Sequence, residues 1–128
     1  MATIKSYTNL QQSKVLAEIL PIESADMIYL HWINRTKQEG IDTIPTIKES
    51  LPIESCDIPC WSIATLLDVL NKSAYFANEA GIVELSSIKG TKWCVSILNC
   101  GKIENCYADE PTDACYDMII RLNELKML

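Results

Sequence analysis

The side chains able to do chemistry are few: one histidine, His31, and six cysteines, Cys56, Cys60, Cys94, Cys100, Cys106 and Cys115. An imidazole beside a thiol can take its proton and leave a sulfur nucleophile. Cys60 with His31 is therefore the pair from which a small thiol-dependent enzyme would be built. The flanking residues argue against it. Cys60 stands between Pro59 and Trp61, His31 lies inside the apolar run Met27-Ile-Tyr-Leu-His-Trp-Ile33, and no acid is placed to orient the ring. A packed histidine and a buried thiol are the plainer reading. The cysteines also lack metal-site spacing: there is no C-x-x-C, and Cys56 and Cys60 are four apart with Pro59 between them, whereas tetrahedral zinc sites recruit close pairs. The stretch from Met1 to Leu10 has no apolar run of the signal-peptide kind. The six cysteines are accordingly expected to be reduced, in a cytoplasmic protein.

No catalytic, cofactor-binding or metal-ligating set emerges from the remaining residues. Gly40, Gly81, Gly90 and Gly101 are scattered as turn glycines and form no phosphate loop. Asp109, Glu110, Asp113 and Asp117 cluster in sequence, but acids at a helix N-terminus are explained by the helix dipole. Trp32, Trp61, Trp93 and Tyr107 suit a ligand cleft and suit a core better. Seventeen acidic residues against 11 basic ones give a net charge of −6, which repels a phosphate backbone and makes nucleic acid an unsuitable partner. An acidic inhibitor that blocks a host nucleic-acid-binding enzyme is an alternative that this charge allows. The apolar runs are far short of the roughly 20 residues that cross a bilayer, so no membrane partner is expected.

These residues must be positioned by elements that the patterning predicts. Thr8 with Gln11 has the form of a capping box for a helix from Thr8 to Leu20, ended by Pro21. Met27 to Ile33 reads as a strand buried on both faces. Pro45 is expected to open a short helix through Leu51. Ser62 is placed to cap a helix from Ile63 to Leu70, and Pro111 to open a last helix whose Cys115, Met118, Ile119, Leu122 and Leu125 form one apolar stripe. Leu20-Pro-Ile-Glu-Ser-Ala-Asp-Met27 and Leu51-Pro-Ile-Glu-Ser-Cys-Asp-Ile58 agree at six of eight positions. Either a binding loop is duplicated or the same turn chemistry is used twice; the second reading is the simpler.

Residues from Gly81 to Ala108 read as a three-stranded meander. Three-residue loops closed by Gly90 and Gly101 place Leu85 opposite Trp93, Val83 opposite Val95, Ile97 opposite Ile103, Trp93 opposite Tyr107 and Cys94 opposite Cys106. One face is then apolar across all three strands. With 128 residues, the expected architecture is one α+β domain, residues 1–128: a mostly antiparallel sheet with a C-terminal β-meander and helices packed on one face.

Three stretches, Leu16-Ala-Glu-Ile-Leu-Pro-Ile-Glu-Ser-Ala-Asp-Met27, Pro59-Cys-Trp-Ser-Ile-Ala-Thr-Leu-Leu-Asp-Val-Leu70 and Pro111-Thr-Asp-Ala-Cys-Tyr-Asp-Met118, carry a resemblance. The chain resembles a family of short uncharacterised proteins encoded by prophages and other mobile elements of gut bacteria. None of the stretches is a catalytic motif, and the family carries no assigned activity. The resemblance implies an accessory gene product. With no reaction legible, the expected function is a non-enzymatic interaction module that binds a protein partner, and nothing in the sequence fixes its oligomeric state.

Overall fold

In a computed structural model, which describes residues 5–48, 56–73, 75, 81–88, 92–99 and 101–128, Asn9 rather than Thr8 opens the first helix. Asn9 Oδ1 accepts from the Gln12 amide and Gln12 Oε1 accepts from the Asn9 amide, so the capping box exists one residue later than the sequence pattern placed it. The helix, α1 (Leu10–Ile19), ends before Pro21. Thr8 is freed for the interior, where it is fully buried.

Five short strands follow: β1 (Met27–Tyr29), β2 (His31–Ile33), β3 (Glu39–Ile41), β4 (Thr46–Ile47) and β5 (Ile58–Cys60). The expected single buried strand from Met27 to Ile33 breaks at Leu30, and the two pieces join different sheets. β1 is the centre of an antiparallel sheet β4-β1-β5, and β2 pairs only with β3. Burial divides accordingly: Ile28 and Tyr29 are buried, whereas Trp32 and Ile33 are exposed. The helix expected after Pro45 is also corrected. Thr46 and Ile47 pair with Ile28 and Met27, because an edge of β1 is there to be paired and proline is tolerated at the start of an edge strand. Residues 49–55, which include most of the second copy of the near-repeat, lie outside the described residues.

The near-repeat nonetheless has a structural use that the sequence did not show. The copies are 31 residues apart, and β1 and β5 pair antiparallel with Ile28 opposite Pro59, its own counterpart. Asp26 Oδ1 accepts the Ser62 amide at 2.8 Å, and Asp57 Oδ1 accepts the His31 amide at 2.9 Å. Ser62 and His31 are likewise 31 residues apart, each beyond the end of its copy of the near-repeat. β1 and β5 are therefore related by a local pseudo-twofold axis, each aspartate tying down the backbone just past the other strand.

In the other half of the chain, α2 (Ile63–Asn71) begins at the expected residue. The meander consists of β6 (Gly81–Ile88), β7 (Lys92–Asn99) and β8 (Lys102–Ala108), and α3 (Pro111–Glu124) packs on β7, β8 and α2. Both hairpin registers differ from expectation. Between β6 and β7, Leu85 pairs with Val95 and Val83 with Ile97, a shift of two residues that leaves the faces intact. Between β7 and β8, Asn99 pairs with Lys102, so Cys94 lies opposite Tyr107 and Trp93 opposite Ala108. This two-residue connection slips β8 by one residue and turns every β8 side chain to the other face. The inward side chains of β8 become Glu104, Cys106 and Ala108. Cys106 and Ala108 are small enough to admit α3, and Glu104 is held by Arg121 of α3 at 2.6 Å. Ile103 and Tyr107, expected inside, face outward and are exposed.

The fold is α+β, with three α-helices and eight strands among the described residues, every sheet antiparallel and a C-terminal meander. The chain gathers into two compact units, Tyr7–Ser62 and Met1–Ser6 with Ile63–Leu128. In the first, Leu16, Tyr29, Cys60 and Trp61 form the core. In the second, Leu66, Leu70, Val95, Ile97, Met118, Ile119 and Leu122 do so.

Candidate interaction surface

Cys60 belongs to the interior. It is fully buried, its Sγ lies 3.5 Å from Thr8 Oγ1, and it donates to the Thr8 carbonyl at 3.4 Å. Thr8 Oγ1 also lies 2.8 Å from Ser13 Oγ and accepts from the Trp61 amide, while the Tyr29 hydroxyl donates to the Thr8 carbonyl. This knot of buried polar groups satisfies itself, and polar groups in a core must be satisfied somewhere. Burial pushes the Cys60 thiol above its ordinary pKa, although hydrogen bonds from Thr8, Ser13 and Tyr29 pull the other way. A reactive cysteine needs the opposite shift.

The structure does not bring His31 to this thiol. Cys60 pairs with Met27, and His31 is four residues further on, on the order of 13 Å along an extended chain. His31 Nε2 lies instead 3.2 Å from Glu39 Oε2, across the β2–β3 pair.

Beyond His31, β2 and β3 form an exposed hairpin that sequence patterning read as buried strand and loop. His31 pairs with Ile41, Trp32 with Gly40 and Ile33 with Glu39. At the tip, Asn34 Oδ1 accepts from the Thr36 amide, the Thr36 hydroxyl and the Gln38 amide, and the Asn34 and Gln38 backbones close the turn at 2.8 Å. Asparagine is suited to such a turn because its side chain imitates a backbone carbonyl. Lys37 holds φ at 64°, a left-handed conformation that costs a non-glycine residue about 1 kcal/mol. The Trp32 ring lies across Gly40, where a Cβ would come within 2.6 Å of Cζ2. Glycine therefore fixes the ring against the strand and leaves it 44% exposed, next to an Ile33 that is 62% exposed.

A second apolar area lies on the outer face of the meander. Ile82 pairs with Leu98, and Leu98 with Ile103, making a cross-strand row in which all three are exposed. Polar residues follow it, with Ser96 Oγ donating to Asn105 Oδ1 at 2.6 Å. This row exists only because β8 slipped by one residue, and its sequence signal was the possibility of a two-residue loop at Cys100-Gly101. Trp61, by contrast, is the core residue the sequence suggested, fully buried with its Nε1 donating to Ser24 Oγ at 2.9 Å.

The acidic residues near α3 are engaged locally. Glu110 accepts from the Lys5 amide at 3.0 Å, and Asp113 pairs with the Lys5 ammonium at 2.5 Å. Burial, and then the nearby Asp113, raise the pKa of Asp117. Among the described residues no group of three or more His, Cys, Asp or Glu side chains is placed to hold a metal ion, and no helix is long and apolar enough to cross a membrane. What the folded chain offers chemically is thus a mixed α+β scaffold with Cys60, Cys94 and Cys115 buried, Cys56 exposed and open apolar surface. Comparison with protein-family models, with curated proteins and with solved structures finds no match to this chain.

Proposed function

We propose that this chain is a non-enzymatic interaction module that binds a protein partner in the cytoplasm, as an accessory product of a mobile element or phage. The observation that carries the reading is the exposed apolar surface: Trp32 and Ile33 on the hairpin, and Ile82, Leu98 and Ile103 in one row on the meander. Single exposed aliphatic residues need no explanation, but a contiguous row such as Ile82, Leu98 and Ile103 supports a contact surface, to which Trp32 and Ile33, on opposite faces of the hairpin, add exposed apolar area. The five described cysteines are free, which accords with a reducing compartment. The resemblance to mobile-element proteins supplies the accessory context.

Photo-crosslinking tests the reading. p-Benzoylphenylalanine placed at Ile33 or at Ile103, in cells expressing the chain, should each time be compared with the same group at the exposed polar Glu18. A discrete crosslinked protein at one of the two apolar positions, absent at Glu18, is expected. Equal, diffuse labelling at all three positions would refute the module.

A further inference from the structure

We infer that the tip of the β2–β3 hairpin is the recognition element, and that it takes an acidic segment of the partner protein with an apolar side chain seated on Trp32. This rests on the interaction-module reading and adds the chemistry of the partner. The chain carries a net charge of −6, yet the hairpin tip presents Arg35 and Lys37, two residues apart and both exposed. Among the described residues Lys5 pairs with Asp113, Lys72 with Asp68 and Arg121 with Glu104, while Lys14, Lys48, Lys92, Lys102 and Lys126, each on a different element or segment from the hairpin tip, show no such pair. No such carboxylate pair is found for Arg35 or Lys37 among the described residues.

Position 37 sharpens the point. At φ 64°, glycine or asparagine would serve the turn with less strain. Lysine stands there instead, in a turn rigidly held by Asn34, so its ammonium is offered to solvent from a fixed backbone. Trp32 is likewise fixed, on Gly40, with much of its surface open. A preorganised aromatic anchor on the same hairpin as two exposed cations is complementary to a segment that combines carboxylates with an aliphatic or aromatic residue. Two cations are too few to hold a nucleic-acid backbone against the net negative charge of the chain, which favours a protein segment.

The test is selection from a phage-displayed library of random dodecapeptides on the wild-type chain, followed by binding of the enriched peptides to variants. Enriched peptides should be rich in Asp and Glu with at least one large apolar residue. In fluorescence anisotropy at low salt, R35E/K37E should weaken them by roughly tenfold or more, because the attractive pairs, individually weak, become repulsive ones. Arg35→Gln with Lys37→Asn serves as the second variant, since asparagine accepts the left-handed turn; circular dichroism checks that both variants fold. In NMR spectra the Trp32 indole and the amides of Arg35 to Gln38 should shift on adding peptide. Peptides without acidic character, or peptides that bind both variants as well as wild type, would overturn the assignment of the tip. In that outcome a specific crosslink at Ile103 would leave the interaction module standing. A library that yields no enrichment also overturns the tip, and the absence of any specific crosslink would then remove the module with it.

Discussion

Alkylation of the native thiols separates a binding module from a thiol-dependent enzyme. Burial alone pushes the Cys115 thiol from an ordinary 9.0 up to about 12. Each step of one in pKa is a factor of ten in thiolate near neutral pH, so a rise of 12 − 9 = 3 leaves Cys115 about a thousandfold less reactive through ionisation alone. Cys60 is raised as well, first by burial, and it is fully buried with its sulfur against the Thr8 hydroxyl and carbonyl. Cys56 is exposed. An iodoacetamide time course at pH 7.5, followed by peptide mass spectrometry, should show Cys56 modified well before Cys60 and Cys115. Under denaturing conditions the three should converge. A Cys60 that reacts as fast as Cys56, or faster, would mean a thiolate stabilised by something near it and would refute the assignment of Cys60 to the core.

The same raised thiol contributes to a loss of stability at alkaline pH. Folding keeps Cys115 neutral, so its contribution is complete below pH 9 and is lost as pH rises towards 12; urea midpoints should therefore fall between pH 8.5 and pH 10.5, and a Cys115→Ala variant should fall less. Leu122, fully buried in α3, should cost about 2–5 kcal/mol on replacement by alanine, read by urea unfolding; a loss under 1 kcal/mol would mean that α3 presents a different face. Gly101 holds φ at 83° with open space where a Cβ would sit. Gly101→Val should therefore destabilise by at least about 1 kcal/mol through the backbone alone, and Gly101→Asn by less. Asp26→Ala removes an acceptor from both the Ser62 amide and the Ser62 hydroxyl and should cost about 1–3 kcal/mol, with unchanged stability as the contrary result.

Helical periodicity was legible because it depends on one face of one element. The stripe is buried as written from Cys115 through Leu122, but Leu125, expected in the same stripe, caps the helix and is exposed, and α2 starts at Ile63. Strand faces were less legible because they depend on where a turn is closed. Leu85, Val95 and Ile97 keep the inward side under a register shift of two, but the β7–β8 slip of one sends Ile103 and Tyr107 out and Glu104 in. Nothing local to β8 announces that Arg121, 17 residues away, will neutralise an inward Glu104. The same limit hid the hairpin. Met27 to Ile33 is uniformly apolar, and only the separate partners of β1 and β2 reveal that Tyr29 is interior while Trp32 is surface. Of the two residues weighed for catalysis, sequence context placed Cys60 correctly in the core, and gave no sign that Glu39 would take the His31 ring.

The near-repeat connects the scaffold to the surface that the proposal uses. Asp26 fixes the backbone at Ser62, where the chain leaves β5 and enters α2. Asp57, its counterpart, fixes the backbone at His31, where the chain leaves β1 and enters the hairpin. One turn chemistry thus sets two exits from a shared pair of strands. One exit leads into α2 and the other into the exposed β2–β3 hairpin. A hydrogen bond from a charged acceptor to a backbone amide is stronger than a neutral one, so the hairpin is anchored at its root rather than along its length. Rigidity at the root, with the ring of Trp32 held on Gly40 and the tip closed by Asn34, would lower the ordering cost of the proposed binding. Asp57 thus anchors the root of the exposed hairpin, and in the proposed interaction it would position the contact surface without itself touching the partner.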